Sequence, residues 1–295
     1  MVGKNILSHP SKKNYNFFTP TRDELDLSKK LDVYNYIKKL NPDLIIHCAG
    51  TVGGIALNMS QPIKFLVDNA LIGIHVISSA SKLGIPKLIN LGSSCMYPKN
   101  IPNPINENKL LSGLLEPTNE GYALAKILTE RLCKYVNIEN SKLSYKTIIP
   151  CNLYGLYDNF DLHKSHLIPA IIKKIHFAKN NNKKVQIWGD GSVKREFMFA
   201  ADLADFIFYS MDSNYNINET INVGLGVDYT VLEYYEKIAE IMNYDKGFDF
   251  DKNKPVGMKQ KLVDISKLNK AGWKAKHSLE EGLKKTIDYF YGEIV

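Results

Sequence analysis

The chain has 295 residues, of which 44% are hydrophobic and 23% are charged. This is the composition of an ordinary globular protein, and it excludes disordered and fibrous classes. The 38 lysines and arginines outweigh the 31 aspartates and glutamates, for a formal net charge of +7. Because the basic residues are scattered along the chain, we expect a surface that favours anionic ligands such as phosphates and no nucleic-acid partner.

Two negative features narrow the class of protein further. By our reading of the sequence, no apolar stretch fills the roughly 20 residues that a membrane span needs, and the first residues lack the apolar run of a secretory signal. The four cysteines lie far apart without CxxC spacing, which argues against a metal cage or a disulfide framework. We therefore expect a cytoplasmic protein with no membrane contact and no bound metal.

Short continuous apolar runs alternate with segments of helical period over most of the chain. Strands are predicted over 14–18, 43–48, 87–91, 146–150 and 185–188. Helices are predicted over 28–39, 61–83, 120–136 and 167–179. Alternation of this kind predicts βαβ units and a parallel sheet covered by helices on both faces, which is an α/β fold of the Rossmann-type, doubly wound class.

After about residue 160 the alternation loosens. Helices are predicted over 200–211, 230–242 and 278–291, with a strand over 220–224. We expect a first domain over 1–160, to which 197–224 return, and a smaller second lobe over 161–295. Two helix starts carry capping signals: Ser60 precedes Gln61 and Pro62, and Thr230 stands three residues before Glu233.

Tyr122 and Lys126 stand four residues apart on a predicted helix, so both side chains project from one face. A phenol has a pKa of about 10, and a nearby cation such as Lys126 makes it useful near neutrality by stabilising its charged form. Ser93 follows the strand over 87–91, at the carboxyl end where open α/β sheets bind ligands. The YxxxK spacing alone is weak evidence, since both residue types are common on helices.

Together with the residues around them, Ser93, Tyr122 and Lys126 resemble the catalytic triad of the extended short-chain dehydrogenase/reductase family, also called the NAD-dependent epimerase/dehydratase family. Within that family the chain most resembles the GDP-L-fucose synthase branch. The resemblance covers nearly the whole chain, and its blocks follow the family's order. They are VGGI (52–55), GSSCMYPK (92–99), LEPTNE (115–120), NLYG (152–155), DNF (158–160), SHLIPA (165–170), WG (188–189), REF (195–197), KLVD (261–264) and GW (272–273).

The resemblance implies an NADPH-dependent enzyme that epimerises carbons 3 and 5 of GDP-4-keto-6-deoxy-D-mannose and then reduces carbon 4, giving GDP-L-fucose. Ser93, Tyr122 and Lys126 would form the reductase triad, with Tyr122 protonating the carbon-4 oxygen. Epimerisation needs an acid and a base on opposite faces of the sugar, and Cys95 and His166 match the family's pair. A thiol and an imidazole titrate close enough to neutrality for this exchange.

Binding residues are assigned by the same resemblance. Arg195 matches a substrate-binding arginine whose guanidinium can form two hydrogen bonds with a pyrophosphate. The alternative is that Arg195 forms a surface ion pair with Asp190 or Asp202. The other substrate-binding matches are Asn152, Lys174, Trp188 and Lys261, and the cofactor-binding matches are Gly3, Arg22, Lys126 and His166. Because Arg22 stands where an NAD enzyme has an acidic residue for the ribose, we expect NADP(H) rather than NAD.

The chain also departs from the family pattern. Its start matches only the end of the dinucleotide loop, with Gly3 as the last glycine, so the family's first strand and earlier glycines are unmatched. Two explanations stay open: the start of the sequence was assigned too late, or the protein really lacks this strand and these glycines. Lys174 replaces a usual arginine, Cys151 replaces a threonine, and 199–201 replace a His-Val-Asp stretch. These three changes bear on the choice of sugar more than on the fold.

The resemblance implies a homodimer as well, since helices 61–83 and 120–136 are the pair through which this superfamily commonly dimerises. Two alternatives to the leading function stay open. One is another GDP-sugar epimerase, dehydratase or reductase of the same superfamily. The other is a non-catalytic homologue that kept the fold but lacks the cofactor loop, although the presence of Ser93, Tyr122 and Lys126 together weighs against it.

Overall fold

A four-stranded parallel sheet forms the centre of the fold. The structure, a computed structural model, describes residues 1–162, 164–211 and 220–295. The strands of the sheet lie in the order β1 (Leu44–His47), β2 (Lys87–Leu91), β3 (Ser144–Pro150) and β8 (Thr220–Val223). Since side chains alternate across a strand, Leu88 of β2 faces one helical layer and Ile89 faces the other. The sheet is therefore buried on both faces, as the α/β class requires.

Helices cover the two faces of this sheet. On one face lie α2 (Lys30–Leu40), α4 (Pro62–Lys82) and α5 (Glu120–Glu139), which share an apolar cluster. On the other face lie α1 (Val2–Ser8) and α7 (Ala200–Met211), which bury Ile6, Leu203 and Ile207 against the strands. The short helix α3 (Ile55–Ser60) precedes α4, and 3-10 helices span Pro10–Asn14, Ser94–Met96, Glu107–Lys109 and Pro117–Asn119.

The rest of the chain builds a second apolar cluster from three helices and three pairs of short strands. The helices are α6 (Leu167–Asn180), α8 (Val231–Ile241) and α10 (Leu279–Glu293), with α9 (Ser266–Lys270) near β8. The strand pairs are β4 (Asn152–Tyr154) with β7 (Phe197–Phe199), β5 (Val185–Trp188) with β10 (Phe248–Asp251), and β6 (Lys194–Arg195) with β9 (Tyr229–Thr230). The β6–β9 pair is antiparallel and the other two pairs are parallel. The division of the chain at residue 160 stays a prediction.

The predicted strand over 14–18 was wrong. The structure has a 3-10 helix over Pro10–Asn14, followed by chain without regular structure. A strand needs a hydrogen-bonded neighbour, and among the described residues β1 pairs only with β2. Two aromatic residues of this segment pack on α7 instead: the rings of Tyr15 and Phe17 lie 5.8 and 6.1 Å from that of Phe208.

The sequence expectation about apolar length was also wrong at one helix. By length and composition alone the 21-residue helix α4 could cross a membrane. In this fold α4 packs between α2 and α5 and buries Phe65, Asn69, Val76 and Ile77. Its apolar character is that of a helix covering the sheet.

Candidate active site

The three residues predicted as a reductase triad meet at the carboxyl end of β2. Ser93 begins the 3-10 helix Ser94–Met96, and its hydroxyl accepts a hydrogen bond from the backbone N–H of Cys95 at 3.3 Å. The Ser93 hydroxyl is also hydrogen-bonded to the phenol of Tyr122, on the first turn of α5. Lys126, one turn later, places its Nζ 5.8 Å from the centre of the Tyr122 ring and donates to the carbonyl oxygen of Leu91 at 2.8 Å.

The protonation states of this triad differ from those expected from the sequence. Burial raises the pKa of Tyr122, the nearby Cys95 adds to the rise, and the hydrogen bond with Ser93 opposes it. Burial also lowers the pKa of Lys126 to about 8, because a charged ammonium is poorly solvated there. The expectation that Lys126 would bring the pKa of Tyr122 towards neutrality was therefore wrong. At pH 7 the phenol is protonated and Lys126 is charged, which suits an acid.

The sulfur of Cys95 lies among hydrogen-bond donors and positive charge. Its Sγ accepts hydrogen bonds from Asn119 Nδ2 at 3.1 Å and from Lys261 Nζ at 3.5 Å. The guanidinium of Arg195 interacts electrostatically with the same thiol. Lys261, predicted to bind substrate, therefore contacts the proposed base directly.

Sequence reasoning missed Asn119 as a site residue. Its signal was present in the LEPTNE block, which precedes α5 and ends at residue 120. Asn119 was overlooked because a neutral amide neither titrates nor acts as an acid, base or nucleophile. The contact with Cys95 shows why an amide belongs there: it donates a hydrogen bond to sulfur without competing for the proton.

His166 belongs to a different group of residues, at the start of α6. It occupies the N-cap position, but its side chain makes no capping hydrogen bond. Its charge interacts with that of Asp158, whose pKa burial raises. Within the described part of the chain, no hydrogen bond joins His166 to the other four predicted catalytic residues. Asp158 Oδ2 and Ser165 Oγ are buried there without a hydrogen-bond partner among the described residues.

The residues predicted to hold a dinucleotide surround the carboxyl end of β1. The amino terminus of the chain, at the start of α1, interacts electrostatically with Asp158 and with Cys48, which directly follows β1. Gly3 lies in the first turn of α1, where an added Cβ would meet no heavy atom within 4 Å, so this turn is open on that side. A Cβ on Gly50 would lie only 2.8 Å from Asn69 Oδ1 and 3.8 Å from Lys126 Nζ, so a glycine is needed where this loop packs against Asn69.

Arg22 is exposed and lies near the loop that follows β1 and carries Gly50 and Thr51. Lys64 lowers the pKa of Asp68 most strongly and Arg22 adds to the shift, while Asp68 accepts a hydrogen bond from Thr51 Oγ1 at 3.2 Å. An arginine in this place can hold a phosphate on a ribose. Together with the open turn at Gly3 and the charge of Lys126, it fits NADP(H).

Asn69 holds the loop around Thr51 in place through hydrogen bonds. Sequence reasoning did not find this residue. Its Oδ1 accepts from the N–H of Thr51 at 2.9 Å, and its Nδ2 donates to the carbonyl of Thr51 at 3.0 Å and to that of Phe65 at 2.7 Å. The signal was a polar residue on the buried face of the apolar helix α4. Such a side chain is retained where it satisfies backbone groups that would otherwise be unpaired.

Arg195 is held by backbone carbonyl groups. Its guanidinium donates to the carbonyl oxygens of Met258 at 2.6 Å and Val256 at 2.8 Å. The alternative ion pairs do not form, because Asp190 accepts from Ser192 and Asp202 pairs with His277. Arg195 is therefore oriented by backbone carbonyl groups and not by Asp190 or Asp202, while Glu116 interacts with it electrostatically.

The remaining predicted substrate residues lie in two places. Lys174 donates to the carbonyl of Gln186 at 3.2 Å, and its Nζ lies 5.7 Å from the ring centre of Trp188. Lys254 lies at the same distance from this ring, which is 37% exposed. Asn152 is directed inward and donates to the carbonyl of Glu196 at 2.8 Å. The structure thus groups Arg195 and Lys261 near Cys95, and Lys174 with Trp188.

Comparisons with known proteins agree with this geometry. A model of the NAD dependent epimerase/dehydratase family matches residues 1–224. The chain is 53% identical to a GDP-L-colitose synthase from Yersinia pseudotuberculosis, over 99% of this chain and 96% of that protein. It is 44% identical to a GDP-L-fucose synthase from Azorhizobium caulinodans, over 98% of this chain and 93% of that protein.

Solved structures give the same answer for the fold. A GDP-6-OMe-4-keto-L-xylo-heptose reductase from C. jejuni superposes with a TM-score of 0.89 at 28% identity, covering 98% of this chain and 94% of that one. The GDP-mannoheptose C4 reductase MlghC from Campylobacter jejuni, with NADP bound, superposes with a TM-score of 0.86 at 29% identity, covering 98% and 95%. The expected α/β fold and the expected family are confirmed. The chain belongs to the NAD dependent epimerase/dehydratase family.

Proposed function

We propose that the chain is an NADP(H)-dependent GDP-sugar epimerase/reductase of the GDP-L-fucose synthase type. The observation that carries this proposal is the position of Cys95, which lies beside the triad with two donors on its sulfur. A reductase needs only Ser93, Tyr122 and Lys126. A thiol surrounded by donors at the same place adds a base, which an epimerase requires.

Each residue of the triad has a defined part in the reduction. NADPH, held by Gly3, Arg22, Lys126 and His166, would supply the hydride for carbon 4 of the sugar. Tyr122 gives its proton to the oxygen on that carbon, because its raised pKa keeps it protonated at neutral pH. Ser93 holds the same oxygen by a hydrogen bond, and the positive charge of Lys126 stabilises negative charge that develops near Tyr122.

The epimerisation uses the two carbons adjacent to the carbon-4 ketone, whose protons are acidic. Cys95, as thiolate, takes a proton from one face, and His166, when protonated, returns one from the other. Asp158 interacts electrostatically with His166, which places an acidic group beside this imidazole. Arg195 binds the diphosphate and so directs the sugar towards Cys95.

The function is tested by solvent deuterium exchange and product analysis. With GDP-4-keto-6-deoxy-D-mannose and NADPH, the enzyme is expected to incorporate deuterium at carbons 3 and 5 and to give GDP-L-fucose. A Cys95→Ser variant is expected to lose most of the exchange while its NADPH affinity is unchanged. Cys133→Ser, a buried thiol of α5, is the matched control. Full exchange in Cys95→Ser would contradict the role of this thiol.

A second candidate is the activity for which the Yersinia relative is named. The identity to that GDP-L-colitose synthase is 53%, against 44% for the GDP-L-fucose synthase, which favours a related but different GDP-sugar. A panel of GDP-keto-sugars with product identification separates the two. The third possibility, a non-catalytic homologue, predicts no turnover of any GDP-keto-sugar in that panel.

The cofactor proposal rests on Gly3, Arg22, Lys126 and His166 as the groups that hold NADP(H). We expect Arg22→Ala to weaken NADPH binding about tenfold, since one charge-assisted phosphate contact contributes on the order of 1.4 kcal/mol. Binding of NADH, which lacks the 2′-phosphate, should not change. Fluorescence titration of both nucleotides into both proteins measures this. An equal loss for NADH would show that Arg22 acts on the fold instead.

We propose that the chain is a homodimer assembled through α4 and α5. The support is a row of exposed apolar side chains along both helices: Ile63, Val67, Leu71, Leu124, Leu128, Tyr135 and Ile138. Exposed apolar side chains on two helices that pack side by side are typical of an interaction site. We also propose a cytoplasmic location, supported by four free cysteines, none of which is bridged.

A further inference from the structure

Glu196 is a fully buried carboxylate that binds three backbone N–H groups. Its side chain is 0% exposed and lies between β6 and β7. Its Oε1 accepts hydrogen bonds from Leu225 N at 2.6 Å and from Gly226 N at 2.8 Å, and its Oε2 accepts from Val263 N at 3.0 Å. One side chain therefore joins the loop after β8 to the segment that carries Lys261.

The backbone of Glu196 extends this connection to two further site residues. Arg195 is its direct neighbour in the chain, at the end of β6. The carbonyl oxygen of Glu196 accepts hydrogen bonds from the N–H of Asn152 at 3.2 Å and from its side-chain Nδ2 at 2.8 Å. Three predicted substrate-binding residues, Asn152, Arg195 and Lys261, are thus tied to one buried residue.

Removing this carboxylate from water costs free energy, and the need to fill the space does not explain why a carboxylate is present. Burial raises the pKa of Glu196 to about 7, although the three backbone donors lower it; Asp228 adds to the rise. The other titratable groups beside it are Cys151 and Tyr234. An apolar residue would fill the same space without the desolvation cost. What only a carboxylate offers is two acceptor oxygens directed at two different segments.

We propose that Glu196 is the positioning residue that holds Arg195 and Lys261 in register with each other and so sets the affinity for the GDP part of the substrate. This inference rests on the proposed function, which assigns a GDP-sugar to the site. In the proposed function Arg195 binds the diphosphate, and Lys261 contacts Cys95, the proposed base. A shift between the segments of Arg195 and Lys261 would therefore move the bound nucleotide away from Cys95. Because Glu196 has no exposed surface, it acts through these residues and not by direct contact with a ligand.

The test compares GDP and NADPH binding by calorimetry in the full-length protein. Glu196→Gln keeps the shape but replaces one acceptor oxygen by a donor, which faces a backbone N–H. We expect the Kd for GDP to rise at least tenfold while the Kd for NADPH stays within twofold. Glu130→Gln is the matched control: it also removes a buried carboxylate, which is bonded to Arg131 and Thr220, and should leave GDP binding unchanged.

A second variant keeps the test decisive if Glu196→Gln does not fold. A Cβ on Gly224 would overlap Glu196 Oε1 and approach Val263 Cγ2 at 2.8 Å, so Gly224→Ala displaces the carboxylate without removing its charge. It should weaken GDP binding in the same direction. Gly292→Ala, where a Cβ meets nothing within 4 Å, is its control.

Two results would overturn the inference, and they differ. Folded Glu196→Gln or Gly224→Ala protein with wild-type GDP affinity would show that the carboxylate only supports the fold. Wild-type protein that binds NADPH but not GDP would refute the proposed substrate class, and the inference with it. A substrate titration adds a further readout: loss of positioning for binding should raise KM more than it lowers kcat.

Discussion

At the scale of single residues, Lys126 illustrates how burial sets the working pH of a site. Its pKa lies at about 8, below the ordinary value of 10.5, because desolvation disfavours the ammonium form. The group is therefore charged below pH 8 and becomes neutral above it. An exposed lysine would keep its charge over the whole range of an assay.

This shift predicts a pH dependence of cofactor binding. If Lys126 holds NADP(H), the Kd for NADPH should increase as pH rises through about 8, since the positive charge is lost in that range. In Lys126→Met the affinity should be lower at pH 7 and nearly constant between pH 7 and pH 9. Fluorescence titrations at half-unit intervals measure both. A wild-type affinity that stays constant to pH 9.5 would contradict the lowered pKa.

Residues with intrinsic chemistry could be predicted from the sequence, and residues that act through tertiary contacts could not. Ser93, Tyr122, Lys126, Cys95 and His166 were assigned through the family resemblance; the structure brings the first four together, and the catalytic roles of all five stay predictions. Asn69, Asn119 and Glu196 were missed, since each matters only through the backbone or sulfur atom it contacts. Apart from Phe65, four positions before Asn69, those partners lie 18 to 67 positions away in the chain, beyond any local pattern.

At the scale of elements, the two capping signals had opposite outcomes. Thr230 and Glu233 form the reciprocal capping box, with Glu233 N donating to Thr230 Oγ1 at 3.1 Å and Thr230 N donating to Glu233 Oε2 at 2.6 Å. Ser60 caps nothing: it ends α3, and its hydroxyl donates to the carbonyl of Leu57 at 3.1 Å. A serine before a proline fits either role, and the preceding helix α3 decided between them.

The difference predicts unequal effects of two similar substitutions. Thr230→Ala should lower the free energy of unfolding by about 1 kcal/mol, the usual worth of an N-cap, and Tm by about 2 °C in a chain of this length. Ser60→Ala, on an exposed hydroxyl without a capping role, should change Tm by less than about 0.5 °C on that scale. Thermal unfolding monitored by circular dichroism compares them. Equal losses would contradict the assigned caps.

Strands were predicted well where the sheet supplies a partner and badly where it does not. The runs over 87–91 and 185–188 match β2 and β5 in full, since each has a hydrogen-bonded neighbour in the fold. The run over 14–18 has the same apolar character, yet two of its aromatic residues pack around Phe208. Composition indicates burial, and only tertiary pairing makes buried chain a strand.

At the scale of the whole molecule, the site depends on elements far apart in the chain. Cys95 follows β2, Asn119 precedes α5, and Lys261 follows β10, yet all three meet at one sulfur atom. The order of the sequence blocks indicated that these segments belong to one site. It could not indicate which donors reach the thiol, because that depends on how the loop carrying Lys261 closes over the sheet.

The exposed row on α4 and α5 predicts the assembly state. A charge at its centre should prevent association without unfolding the monomer, since Leu71 and Leu128 are 38% and 39% exposed. We expect the wild type to have twice the chain mass in light scattering at micromolar concentration, and Leu71→Lys with Leu128→Lys to have the mass of one chain. Leu31→Lys, 72% exposed on α2, should remain dimeric. A monomeric wild type would refute the proposed dimer, and a dimeric double variant would place its interface elsewhere.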